Sequence, residues 1–136
     1  MTIYLIRHGR TAANEKHLYC GSSDLSLSES GMAALEKKHY EIHADRFLTS
    51  GMKRTEQTLR LLFGDVPHET DARFREVDFG DFELRSYEEL KENPHYQAWI
   101  TGDNERNVPP NGESGEQMTA RVLEAYRELE NRGESC

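Results

Sequence analysis

Ile3-Tyr4-Leu5-Ile6-Arg7-His8-Gly9-Arg10-Thr11 is the stretch of sequence that decides the fold. Its apolar run, Ile3 to Ile6, predicts a short strand that is buried on both faces and runs parallel to its neighbours. The run ends in Arg-His-Gly, and open α/β sheets bind their ligands at the carboxyl ends of strands. Gly9 allows the backbone to come close to a ligand. We therefore expect an anion site here, with Arg7 as an anion ligand and His8 as a candidate nucleophile.

The composition limits the classes of partner. The chain has 136 residues, enough for one domain with a modest core. Its 17 Lys and Arg residues stand against 25 Asp and Glu residues, which gives a net charge of −8. Nucleic acids and anionic membranes require broad basic surfaces, so we expect neither as a partner. A small phosphorylated substrate remains compatible, because a few arginines dominate the potential inside a cleft.

The cysteines and the amino-terminal sequence indicate the compartment. The chain has two cysteines, Cys20 and Cys136, without the spacing of a disulfide framework or a zinc site. The first apolar run is too short for a signal peptide or a membrane span. The sequence therefore predicts a cytoplasmic protein without a metal ion.

A second strand-to-helix unit supplies another arginine. Residues Arg46–Ser50 predict a strand that ends in Ser50-Gly51, and residues Met52–Phe63 predict a helix with Leu59, Leu62 and Phe63 facing inward. Helix amino termini bind anions, so this unit places Ser50 and Arg54 at a second strand end suited to phosphate. Taken alone, Arg54 is more typical of a solvated surface arginine.

The rest of the chain predicts further helices and one candidate acid. Ser26 and Glu29 form a capping-box pattern for a helix that reaches about His39. Short helices are expected over residues 86–92 and 95–100, and a long amphipathic helix begins after Ser114 and ends at Gly133. Residues 74–83 predict an ordered loop packed on the core. Within that loop, Glu76 is a candidate proton donor.

Taken together, these motifs resemble the histidine phosphatase superfamily, which is also called phosphoglycerate mutase-like. The match covers nearly the whole chain in the expected order. It consists of Arg7-His8-Gly9 with Thr11 and Asn14, residues 50–54 with Thr58, Glu76 before Phe79-Gly80, and Asn111-Gly112-Glu113-Ser114. Within the family, the segments 18–21 and 109–113 and the pair Tyr96 and Trp99 are similar to α-ribazole phosphatases.

The resemblance implies a fold and a mechanism. The fold is α/β, a three-layer sandwich around a mostly parallel central sheet, in a single domain over residues 1–136. His8 attacks the phosphoryl group and becomes phosphohistidine, and Glu76 protonates the leaving alcohol and then activates water. Arg7 and Arg54 hold the phosphoryl oxygens. The substrate-binding residues that assist them are Asn14, Gly21 and Ser50. No cofactor is implied.

One element of the family pattern is missing. Family members carry a second catalytic histidine in a later strand, but the last histidine here, His95, precedes the final helix. The resemblance therefore predicts a carboxyl-terminal truncation that lacks the last strand and helix. An unpaired strand edge invites pairing with a second copy, so we expect reduced activity and either a homodimer or a marginally stable fold.

Three functions follow from these patterns. The first is a phosphomonoester hydrolase, with α-ribazole 5′-phosphate as the substrate that the branch resemblance suggests. The second is a catalytically impaired module that binds phosphate esters. The third is a phosphoglycerate mutase-type phosphotransferase, which the short interval between Glu76 and Asn111 disfavours.

Overall fold

The computed structural model describes residues 1–103 and 105–136, which form an α/β arrangement. Strands β1 (Leu48–Thr49) and β2 (Glu69–Thr70) pair in parallel, with Leu48 opposite Glu69. Short 3-10 turns cover Ala72–Phe74 and Gly80–Phe82. The α-helices are α1 (Ala12–Glu15), α2 (Glu29–Glu36), α3 (Lys53–Phe63), α4 (Tyr87–Leu90), α5 (Pro94–Thr101) and α6 (Gly115–Arg132).

Local capping explains most of the helix boundaries. Ser114 and Gln117 form the predicted capping box of α6, and Gly133 ends that helix in the left-handed conformation. The expected start of α2 was wrong. Ser28, not Ser26, accepts the hydrogen bond from the Gly31 amide, and the helix ends at Glu36 instead of near His39. Within the described ranges, none of the helices combines the length and the apolar character that crossing a bilayer requires.

The amino-terminal segment differs from the predicted doubly buried strand. The Tyr4 amide donates to the Cys136 carbonyl at 2.7 Å, and the Cys136 amide donates to the Thr2 carbonyl at 3.1 Å. This is a parallel pairing on one side of the segment. Leu5 is 86% exposed, because no other described strand or helix covers its side chain. The prediction of burial on both faces is therefore wrong for the described residues.

An apolar groove of about 540 Å³ separates the amino-terminal segment from β1. The carboxyl-terminal Ser135 and Cys136 lie at one end of it, where the amides of Asp45 and Arg46 donate to the Ser135 carbonyl. Three side chains of α3 predicted to be buried, Leu59, Leu62 and Phe63, are only partly buried and line this groove. The fully buried positions of α3 are instead Arg54 and Thr58.

Three of the fully buried side chains form the centre of a mostly aromatic cluster. Phe82, Leu90 and Tyr96 are each 1% exposed, and four partly buried apolar side chains pack against them, namely Tyr19, Phe79, Trp99 and Ile100. The Tyr19 and Tyr96 hydroxyls lie 2.7 Å apart and form a hydrogen bond. This cluster anchors the loop over residues 74–83 to the core, as the sequence predicted.

Candidate functional site

His8 is held in one orientation by the backbone next to it. Its Nδ1 lies 2.6 Å from the Gly9 carbonyl, and since a carbonyl can only accept, Nδ1 carries the proton. The other ring nitrogen, Nε2, is then unprotonated in the neutral ring and holds a lone pair. This is the tautomer that a nucleophilic histidine requires.

The charges around His8 favour the neutral ring. Partial burial lowers the pKa of His8 most, and the positive charges of Arg54 and Arg7 lower it further. The Gly9 carbonyl and the Glu76 carboxylate act in the opposite direction, but the net pKa lies below its ordinary value. The neutral form of His8 is therefore favoured, within electrostatic reach of two arginines and one carboxylate.

Arg54 is the buried cation of the site. It is 2% exposed, because the first turn of α3 carries it beneath the loop over residues 21–23. Its Nη2 donates to the Gly21 carbonyl at 2.7 Å, and its Nη1 donates to the Ser23 carbonyl at 2.8 Å. A guanidinium has five N–H donors, so these two bonds fix its plane and leave three donors for an anion.

Thr58 connects the helix that carries Arg54 to the turn that carries His8. Its hydroxyl donates to the Arg54 carbonyl at 2.6 Å, one turn earlier on α3, and accepts from the Gly9 amide at 3.0 Å. The Gly9 amide follows His8 directly in the chain. A single buried hydroxyl therefore sets the position of the His8 turn relative to the helix that carries Arg54.

Glu76 lies on a segment that α6 holds in place. Its side chain is exposed and accepts from the Val77 amide at 2.9 Å. Arg121 donates to the Arg75 carbonyl at 2.7 Å and to the Glu76 carbonyl at 3.0 Å. Arg121 also forms an ion pair with Glu113. The backbone of Glu76 is thus fixed, while its side chain is exposed to solvent.

The other predicted ligands have partners within the protein. The Asn14 Oδ1 accepts from the Thr11 amide at 2.9 Å in the capping box of α1. Ser50 is buried, and its hydroxyl lies 3.1 Å from the Thr55 hydroxyl. Arg7, by contrast, is exposed and makes no hydrogen bond or ion pair with residues 1–103 or 105–136. Asn14 and Ser50 therefore shape the site, and Arg7 is available to an incoming anion.

Gly21 is a predicted substrate-binding residue whose amide already has partners within the protein. That amide donates to both oxygens of Glu83, at 3.0 and 3.1 Å. A Cβ at position 21 would lie 1.7 Å from the Val77 carbonyl oxygen, so only glycine fits. Gly21 thus brings the loop that holds Arg54 against the segment that carries Glu76.

Sequence reasoning did not assign roles to Thr58 and Glu83. Thr58 stands four residues after Arg54, a spacing that places both on one face of α3 and that could have indicated a shared role. Glu83 contacts residues that lie about 60 positions earlier in the chain. No local pattern marks such a contact. In the described part of the chain, no group of three or more His, Cys, Asp or Glu residues is arranged to hold a metal ion.

Replacing Thr58 by valine is expected to lower the free energy of unfolding by about 1–3 kcal/mol, because the buried Gly9 amide loses its acceptor. Urea unfolding of the variant measures this loss. Thr101→Val is the matched control, since the exposed Thr101 hydroxyl also donates to the carbonyl four residues earlier but receives no amide from elsewhere in the chain. Equal losses in the two variants would show that the Gly9 bond contributes nothing.

Comparison with known proteins identifies the family. The profile of the histidine phosphatase superfamily (branch 1) matches residues 3–135. The adenosylcobalamin/α-ribazole phosphatase of Salmonella typhimurium is 35% identical over 144 residues, an alignment that covers 96% of this chain and 71% of that protein. Across three curated relatives of that name, the chain spans 63–71% of their length.

Solved structures agree with this relationship. The crystal structure of the α-ribazole phosphatase from Shigella flexneri superimposes with a TM-score of 0.87 at 30% identity, over 98% of this chain and 70% of that one. The phosphoglycerate mutase from Thermus thermophilus superimposes with a TM-score of 0.73 at 28% identity, over 96% and 72% of the two chains. The fold is therefore phosphoglycerate mutase-like, as predicted, and the chain belongs to the histidine phosphatase superfamily.

Proposed function

We propose that this chain hydrolyses phosphomonoesters through a phosphohistidine intermediate on His8. The observation that carries the proposal is the pairing of a neutral His8, whose Nδ1 is bound to the Gly9 carbonyl, with a buried Arg54 that two carbonyls hold in a fixed plane. A nucleophile with a free lone pair and a preorganised cation are the two components that phosphoryl transfer needs from a protein. Family membership supports a phosphatase activity.

In the first step, the Nε2 lone pair of His8 attacks phosphorus, and the bond from phosphorus to the ester oxygen breaks. The electron pair of that bond leaves with the alkoxide, which takes a proton from the carboxylic acid form of Glu76. Arg54 and Arg7 donate to the phosphoryl oxygens and stabilise the charge that spreads over them. The products are the free alcohol, phosphohistidine and the Glu76 carboxylate.

In the second step, a water molecule attacks the phosphorus of phosphohistidine. The Glu76 carboxylate takes the proton from this water, and the bond from phosphorus to Nε2 breaks with its electron pair returning to the ring. Inorganic phosphate leaves, and both His8 and Glu76 regain their starting protonation states. The exposed carboxylate of Glu76 suits this role, because both the leaving alcohol and the water must reach it.

For the substrate we propose α-ribazole 5′-phosphate. The support comes from three curated relatives named adenosylcobalamin/α-ribazole phosphatase, whose alignments cover 90–96% of this chain. The test measures phosphate release from α-ribazole 5′-phosphate, an aryl phosphate and 3-phosphoglycerate. A kcat/KM highest for α-ribazole 5′-phosphate supports the proposal. Binding without phosphate release would identify a phosphate-ester binding module, and isomerisation of phosphoglycerate would identify a mutase.

The lowered pKa of His8 sets the direction in which the neutral, reactive form of this residue depends on pH. Attack requires neutral His8, whose ring loses its proton as the pH rises through its lowered pKa. The fraction of His8 in its neutral form therefore grows with pH. Titration of the His8 ring by NMR is expected to give a midpoint below the ordinary histidine value of about 6.5. A midpoint above that value would mean that burial and the charges of Arg54 and Arg7 do not outweigh the Gly9 carbonyl and Glu76.

A further inference from the structure

We infer that Glu83 is a positioning residue for phosphate binding, and that it acts by fixing the loop that holds Arg54. The inference rests on the proposed function, because it assumes that Arg54 binds the phosphoryl group. Glu83 itself faces the loop over residues 21–23 and not the groove beside His8. Its effect therefore passes through the protein and not through contact with the substrate.

The Glu83 carboxylate collects an unusual number of donors. The Gly21 amide contacts both of its oxygens, and the Ser22 amide donates at 2.8 Å. The Ser23 hydroxyl donates at 2.8 Å and the Phe79 amide at 3.1 Å. The Ser22 hydroxyl lies 3.2 Å from Glu83 but donates its single proton over the shorter distance of 2.8 Å to Asp78. Four donor groups thus converge on one carboxylate, which has about four lone-pair positions to accept them.

The same loop holds Arg54 from its other side. The Gly21 and Ser22 amides and the Ser23 hydroxyl donate to Glu83, while the carbonyls of Gly21 and Ser23 accept from the Arg54 guanidinium. Because the peptide bond is planar, the Ser22 amide that Glu83 binds and the Gly21 carbonyl that Arg54 binds belong to one rigid unit. Glu83 therefore sets the plane of Arg54, and with it the direction of the donors that remain for phosphate.

Glutamine at position 83 would break this arrangement with almost no change of shape. Its amide nitrogen carries two hydrogens, which would face donors of the loop instead of accepting from them. We expect the carbonyls of Gly21 and Ser23 to lose their fixed direction, so that Arg54 samples other orientations. The side-chain N–H groups of Arg54 are then expected to exchange with water about 10–100-fold faster.

The first test needs no turnover. Hydrogen exchange of the Arg54 guanidinium is measured by NMR in the wild-type chain and in Glu83→Gln, with the exposed Arg60 as the internal reference. Glu89→Gln is the matched control, because Glu89 accepts only within the capping box of α4. The inference requires that the Arg54 N–H groups exchange faster in Glu83→Gln than in the wild-type chain, and at an unchanged rate in Glu89→Gln. Unchanged exchange at Arg54 would overturn it.

The second test is a double-mutant cycle on the affinity for inorganic phosphate. Glu83→Gln is expected to weaken binding about 10–100-fold in the wild-type background, but less than about twofold in an Arg54→Lys background, because it acts through Arg54. If Glu83 had only a structural role, the losses of phosphate affinity caused by Glu83→Gln and by Arg54→Lys would multiply in the double variant. If Glu83→Gln fails to fold, Ser23→Ala takes its place in this test. Ser23→Ala removes one of the four donors and must still raise the exchange rate of the Arg54 N–H groups several-fold. Phosphate binding without hydrolysis would refute the proposed function and leave this inference standing.

Discussion

Replacing His8 by alanine is expected to lower the rate of phosphomonoester hydrolysis by on the order of 10⁴–10⁶-fold, the range seen when a hydrolase loses a central catalytic residue. Among the described histidines, His8 alone combines a bond from Nδ1 to a backbone carbonyl with a position near a buried arginine. No other described histidine can therefore replace the Nε2 lone pair of His8. The measurement is steady-state phosphate release under conditions in which the wild-type chain turns over.

His95→Ala is the control for His8. His95 is exposed at the start of α5, and its side chain makes no contact with the site. Its loss is expected to leave the rate within about twofold. If His8→Ala retained more than about a hundredth of the wild-type rate, water would be attacking the substrate directly and His8 would not be the nucleophile.

Replacing Arg54 by lysine is expected to lower kcat/KM by about 10²–10³-fold, the usual effect of removing one preorganised donor from a transition state. The charge remains, but an ammonium group cannot bind two carbonyls in a plane and still present a fork of N–H groups to a phosphoryl group. The bonds to Gly21 and Ser23 are therefore lost together with the directed contacts to the substrate.

Arg60→Lys is the control for Arg54. Arg60 lies on the same helix, α3, and pairs with Asp65 at the surface. Such an exposed pair contributes little, so this substitution is expected to change kcat/KM by less than about twofold. Equal effects at positions 54 and 60 would mean that the charge of Arg54 matters and its fixed geometry does not.

The parts of the fold that depend on local sequence were predictable. The ends of α3 and α6 follow from Gly64 and Gly133, and the start of α6 follows from its Ser114 cap. Both helices agree with the predicted ranges within a residue or two. The burial of the segment Ile3–Ile6 could not be predicted, because it depends on which strands and helices lie beside it. An apolar run indicates a buried strand only when those neighbours are present.

The candidate site likewise contains residues that the sequence indicated and others that only the structure revealed. His8 and Arg54 could be proposed from the sequence, since each follows a strand pattern that ends in a polar group and a turn. Glu83 was not found, because its donors are backbone amides and hydroxyls about 60 residues away. Its role depends on tertiary contacts that no spacing rule encodes. The fixed direction of Arg54 therefore became visible only in the structure.

The most direct test of the account is to trap the phosphorylated protein. The chain is mixed with substrate labelled on its phosphoryl group, quenched in alkali within milliseconds, and digested for peptide mapping. We predict a label that survives alkali, is lost in acid, and maps to the peptide that contains His8. Turnover without a labelled protein, a label on another residue, or a bound ester that is never transferred would contradict the phosphohistidine mechanism.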